Sequence, residues 1–191
     1  SGGDGDNILV MGPWAHGTWA EKVGERLGHV DFHAKTSEYY RRHMELPFFL
    51  HHLKDGPDPN LPEAFVFETG TNQWRRYNAW PPKNAVETSF YLYGGGKLGM
   101  EPPAGSEEGA FDEYLSDPNR PVPYIANIST RMTREHMVDD QRFASWRPDV
   151  LVYRTDDLTE DVTVAGPITA SLYVSTSGTD SDWVVKLIDV Y

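Results

Sequence analysis

The chain has 191 residues, no cysteine and a net charge of −12 at pH 7, with 39% apolar and 13% aromatic residues. That composition supports a packed core and argues against a disordered chain, while the acidic balance disfavours nucleic acid and anionic membrane surfaces, which call for a Lys/Arg excess. The absence of cysteine excludes disulfides and thiolate metal sites, and no apolar run approaches the roughly 20 residues of a membrane span.

The opening SGGDGDN has the composition of a tag remnant or a cut end. Ile8-Leu9-Val10-Met11 predicts a short buried strand, stopped by Gly12-Pro13 and followed by Trp14 and a lone His16. A Gly-containing loop then leads to TSEYYRRHMELPFFLHHLKDG, which predicts a helix. Thr36 or Ser37 is the expected N-cap. Tyr40, Met44 and Phe48 recur at helical spacing, and Gly56-Pro57 marks the end. Pro47 lies inside the helix and predicts a kink.

Beyond the linker-like GPDPNLP the hydrophobic period becomes two. AFVFETG, SFYLYGGGKLGM, DVLVYRT, DVTVAGPITASLYVSTSG and SDWVVKLIDVY predict strands, with YGGGK as a hairpin turn. The last run, Trp183 to Val190, is apolar on both faces apart from Lys186 and Asp189, as a covered strand would be. The expected fold class is therefore mixed: an α/β-like start over 1–56 and a mainly-β sandwich or jelly roll over 57–191. One strand and one helix bury no core alone. The first segment is thus expected either to be the end of something larger or to pack on the β part.

Several groups are candidates for chemistry. A histidine just past a strand end is either a turn residue or a proton carrier. His29 and His33, four apart, resemble a helical metal pair but have no third ligand at a suitable offset, so no metal site is expected. Asp180 and Asp182 flank Ser181 and suit a calcium loop less well than a local hydrogen-bonding role. Asp139 to Arg142, DDQR, reads as a network bridging strands, with a substrate anchor as the alternative. His51 and His52 read as polar residues on the helix rim, and the six tryptophans, scattered through different blocks, as core and interface packing. The long 124–138 stretch, YIANISTRMTREHMV, is not strand-like, and a long ordered loop of this kind often carries function.

The blocks LVMGPWAHG, PFFLHHLKDG, VFETGTNQWRRYNAWPP, DPNRPVPY and DDQRFASWRPDVLVYRT, continuing to the last residue, together resemble the X-Pro dipeptidyl-peptidase/cocaine esterase family of serine hydrolases. Within it they are most similar to the α-amino acid ester hydrolases and glutaryl-7-aminocephalosporanic acid acylases. The resemblance implies an α/β-hydrolase domain followed by a C-terminal jelly roll, and a Ser-His-Asp triad acting on an ester or amide through an acyl-enzyme. It places the family's catalytic histidine at His16. It also implies that 124–138 lines the acyl pocket, which makes Met132 and Met137 candidate substrate-binding residues, with Trp14 of the histidine block as a third. A small-molecule ester or amide, or a short peptide, is the implied substrate. The rest of a parent hydrolase and a homo-oligomer are the implied partners, with no nucleic acid and no membrane span, and no metal or organic cofactor.

The chain departs from the family pattern in lacking a Gly-x-Ser-x-Gly elbow. It is therefore expected to be an internal slice of such an enzyme, with the nucleophile and the triad acid elsewhere and the chain alone inactive. The alternative is a free-standing, non-catalytic jelly-roll binding or interaction module.

Overall fold

The expected opening strand forms as β1, Leu9–Met11, and its partner comes from the other side of the linker. It pairs in parallel with β4, Ala64–Glu68, in a register that sets Leu9 opposite Ala64 and Met11 opposite Val66. A parallel pair cannot be joined by a hairpin. The intervening chain makes the crossover with a small antiparallel hairpin, β2 (Arg26–Leu27) and β3 (Val30–Asp31), and a helical run. On its far side β4 pairs antiparallel with β5, Gln73–Tyr77. One sheet, ordered β1-β4-β5, thus joins residues from both sides of position 57. The computed structural model describes residues 7–20, 23–105, 111–131 and 133–190.

The helical run is divided where a single kinked helix was expected. α1 covers Thr36–Tyr40, a wider π-helical turn covers Arg41–Glu45, and α2 covers Leu46–Lys54. Pro47 stands in the first turn of α2, where its missing N–H is not needed. The π turn just before it accommodates the break in the hydrogen-bond ladder. Met44, at the centre of the expected apolar stripe, is 1% exposed. α2 ends on Asp55 in the left-handed region at φ 52°, and the Gly56 N–H donates back to the Leu50 carbonyl at 2.9 Å. A Cβ on Gly56 would lie 2.9 Å from that same oxygen, so the stop signal is glycine for a steric reason.

One face of the sheet carries Phe65 and Phe67 of β4 beside Arg76 and Trp74, their opposite numbers on β5. The Trp74 ring meets Phe65 at 5.7 Å, Phe67 at 5.4 Å, Tyr39 of α1 at 5.8 Å and Trp14 at 5.8 Å. The Arg76 guanidinium lies 5.2 Å over the Phe65 ring. The core is continuous with this face: Ala15, Leu27, Phe32 and Phe67 are buried together, with Val30, Ala34, Trp74 and Val138 packed against them.

The β4–β5 turn is closed by charge. The Glu68 carboxylate accepts from Arg75 Nη2 at 2.7 Å and from Thr71 Oγ1 at 2.5 Å. These two bonds, Arg75 first, hold its pKa below the ordinary 4.5. A carboxyl with a depressed folded pKa adds stability above its unfolded pKa and loses it as pH falls through the folded value. Glu68→Gln in the full-length protein is expected to flatten the fall in Tm between about pH 5 and pH 3. The change is modest, because the pair is partly solvated. An unchanged acid limb removes this pair from the acid sensitivity.

Farther along, SFYLYGGGKLGM forms the expected hairpin, with β6 (Tyr91–Tyr93) antiparallel to β7 (Lys97–Gly99). Gly95 and Gly96 at φ 76° and 77° make its turn, in a region that disfavours side chains. The later strands differ from expectation. DVLVYRT contributes a single parallel bridge, Lys97 to Arg154. DVTVAGPITASLYVSTSG and SDWVVKLIDVY form no ladder among the described residues. Alternation makes a segment suitable for a strand, but only a hydrogen-bonded neighbour makes it one. Val184 and Leu187 are accordingly 84% and 65% exposed. Three small sheets with few, short helices constitute the regular structure among the described residues, and the β part does not close into a sandwich there.

Candidate active site

His16 stands at the carboxyl end of β1, on a loop whose shape follows from its neighbours. The Trp14 N–H donates to the Gly12 carbonyl at 2.9 Å, a tight turn centred on Pro13. The turn folds the indole back over Gly12, where a Cβ would lie 2.5 Å from the ring. Gly-Pro-Trp is therefore a steric unit. Gly12→Ala must displace the indole or open the turn, and overpacking of this kind costs about 1–3 kcal/mol. A Tm drop of several degrees is expected in the full-length protein, and an unchanged Tm shows that the ring has room to move.

Past the histidine, Gly17 sits at φ 79°, and the Ala15 carbonyl accepts from both the N–H and the Oγ1 of Thr18, at 3.1 and 2.9 Å. The loop is then fastened to α1. Trp14 Nε1 donates to Thr36 Oγ1 at 2.8 Å, Thr36 Oγ1 donates to the Gly24 carbonyl at 2.5 Å, and Ser37 Oγ donates to the Thr18 carbonyl at 3.0 Å. Thr36 and Ser37, expected as N-caps, are wholly buried and cap nothing: Lys35 holds the N-cap position with no side-chain bond. The first helical N–H groups are satisfied instead by the Val23 carbonyl, from Ser37 at 3.1 Å and Glu38 at 3.4 Å.

Between these fastenings the His16 imidazole is exposed, edge-on to Trp19 with ring centroids 5.8 Å apart. No hydrogen bond to it forms among the described residues. The other histidines are engaged elsewhere. His33 Nδ1 is 3.4 Å from Asp31, whose carboxyl is held below its ordinary pKa by the His33 backbone N–H and Arg26. His51 and His136 donate from Nδ1 to the Gly56 and Thr133 carbonyls. His43 packs against Tyr39 and His52 against Phe48. Asp140 is held below its ordinary pKa chiefly by Arg142, with His29 among its lesser neighbours. No group of three His, Asp or Glu converges among the described residues.

The remaining candidates fall as follows. Trp14 points inward, to Thr36, Tyr40 and Trp74. Met137 is exposed at the end of a short 3₁₀ turn, Glu135–Met137, and Met132 lies outside the described residues. The end of the 124–138 segment nevertheless comes to the site's foundation, because Val138 packs on the cluster containing Ala15. Gly28, at φ 57°, leaves room for it: a Cβ there would lie 3.0 Å from Val138 Cγ2 and 3.2 Å from Glu135 Cγ. Among the described residues DDQR bridges no strands. Arg142 pairs with Asp140, two residues back, whose Oδ1 also accepts the Arg142 N–H at 2.9 Å. This closes the turn into α3, Arg142–Ser145.

A histidine-bearing loop past a parallel strand thus leads into small β-sheets. Residues 59–191 match the X-Pro dipeptidyl-peptidase C-terminal non-catalytic domain, and the chain belongs to that family. His16 and its loop precede the matched region. Cocaine esterase of Rhodococcus sp. (strain MB1 Bresler) is 32% identical over 97% of this chain and 33% of its own length. Among solved structures, an aminopeptidase from a marine sediment archaeon, Thaumarchaeota archaeon, is 41% identical with a TM-score of 0.72, over 81% of this chain and 26% of its own. An α-amino acid ester hydrolase is 38% identical with a TM-score of 0.73, over 84% of this chain and 27% of its own. The relatives are hydrolases, and the chain spans about a third of the length of the curated relative and less of the two structures.

Proposed function

We propose that the chain is part of a serine hydrolase that cleaves carboxylic esters or amides, with His16 as the general base and the serine and triad acid outside these 191 residues. The observation that carries this reading is the His16 imidazole itself, exposed and without a hydrogen bond among the described residues, on a loop fastened at both ends beyond β1. The carboxyl end of a parallel strand is where open α/β sheets gather their reacting groups. The serine oxygen adds to the substrate carbonyl carbon while His16 accepts the hydroxyl proton. His16 then gives that proton to the departing alcohol or amine. Water, deprotonated by the same imidazole, adds to the acyl-enzyme and releases the acid and the free serine. Substrates range over the chemistry that the relatives' names span, from acyl esters to amino acid esters and N-terminal peptide bonds.

Fluorophosphonate labelling of the full-length parent tests the reading, with turnover measured on a panel of ester and amide substrates. Covalent labelling that blocks turnover is expected, and the isolated 191-residue chain is expected neither to label nor to turn over p-nitrophenyl esters saturably. A parent that neither labels nor hydrolyses any of the panel overturns it. A second reading, favoured by the non-catalytic character of the matched domain, makes residues 59–191 a binding module. It predicts ligand binding by the full-length protein that survives loss of His16.

A further inference from the structure

We infer that Thr36 and Ser37, on the first turn of α1, are positioning residues for His16. This rests on His16 being the general base, and it assigns to two buried hydroxyls a task that their place in the sequence does not announce. The two residues are consecutive, so their side chains leave the helix about 100° apart, and each grips a different side of the histidine loop. Thr36 Oγ1 accepts from Trp14 Nε1 at 2.8 Å and donates to the Gly24 carbonyl at 2.5 Å. Ser37 Oγ donates to the Thr18 carbonyl at 3.0 Å, and Thr18 in turn donates to the Ala15 carbonyl from Oγ1 at 2.9 Å. His16 is thereby bracketed, two residues before and two after, by residues hydrogen-bonded to a helix that packs on the sheet.

Three features show that the site is built for these hydroxyls. Both residues are 0% exposed, where a polar group persists only when bonded. Helix capping does not use them, since Val23 serves the N–H groups. Gly24, at φ 74°, is glycine where a Cβ would collide with Ser37 Oγ. The triad acid that would orient the ring lies outside these residues, so what these bonds hold is the backbone that carries the imidazole. A base displaced by about 1 Å loses on the order of 10²-fold in rate.

The test uses the full-length parent, with kcat referred to active sites counted by fluorophosphonate titration, so that a smaller folded fraction does not register. Thr36→Val keeps the shape and removes both hydrogen bonds. It is expected to lower kcat about 10- to 100-fold with KM within about twofold. Thr36→Ser, which keeps the hydroxyl, is expected to restore kcat to within about threefold of the parent. Wild-type kcat per titrated site in Thr36→Val overturns the inference, as does equal loss in Thr36→Ser. Should Thr36→Val fail to fold, Ser37→Ala and Trp14→Phe, which each remove one bond, give the same reading. If instead His16→Ala leaves turnover intact, the general-base reading is what has failed. Amide exchange at Ala15–Thr18 then decides the clamp alone: a rise of at least about tenfold in Thr36→Val supports it, and no change overturns it.

Discussion

His16→Ala in the full-length parent is expected to lower kcat by about 10⁴- to 10⁶-fold, the usual loss when one member of a Ser-His-Asp unit is removed. The size follows from the histidine's double duty. In the proposed mechanism it takes the serine proton in acylation and delivers one to the leaving group, so both steps would lose their proton carrier together. KM is expected to move little, because the imidazole binds the travelling proton rather than the substrate. His29→Ala and His33→Ala are the controls. His33 lies just past β3 beside Asp31, and His29 lies in the β2–β3 turn near Asp140, and both variants are expected within a few-fold of the parent. A His16 variant that keeps more than about a tenth of the activity is incompatible with a triad role.

The resemblance carried by Gly12-Pro13-Trp14-Ala15-His16 located the loop in the sequence, and the structure supplies its reason: the indole covers a glycine whose Cβ would lie 2.5 Å from the ring. The Gly95-Gly96 hairpin and the Gly56 helix stop were equally legible, since each rests on a backbone conformation or close approach that only glycine permits. β5 was not legible as a strand. Arg75 and Arg76 interrupt its hydrophobic pattern, and only the fold reveals that one guanidinium answers Glu68 while the other lies on Phe65. The roles of Thr36 and Ser37 were hidden for a related reason. A hydroxyl at a helix start has a local use and a tertiary one, and periodicity registers only the local one. The later β segments illustrate the converse. Their alternation was plain, yet pairing is a property of two segments, and beyond the Arg154 bridge no strand pairs with them among the described residues.

Those unpaired segments lead to the second large effect: the isolated 191-residue chain is expected to self-associate. Val184, Val185, Leu187 and Val190 are between 61% and 84% exposed, on a run whose unpaired backbone offers a template for another chain. α2 presents a second apolar surface. Leu46, Phe49, Leu50 and Leu53, at the i, i+3, i+4, i+7 spacing of one helical face, are 55%, 50%, 44% and 69% exposed. β1 adds an open edge, since β4 is its one partner in the sheet among the described residues. Each surface alone is tolerable in water, but three on one chain exceed what monomeric proteins usually expose. The net charge of −12 opposes association by repulsion. That repulsion is screened within about 8 Å at physiological ionic strength, whereas apolar contact is not. Light scattering of the isolated chain at rising salt is therefore expected to show growing oligomers and a broad, concentration-dependent unfolding transition. The full-length parent, in which these surfaces are expected to be covered, should not gain mass with salt. A monomeric isolated chain with a sharp, cooperative transition at high salt would mean that the apolar segments find their partners within these 191 residues, and that the β domain closes on itself.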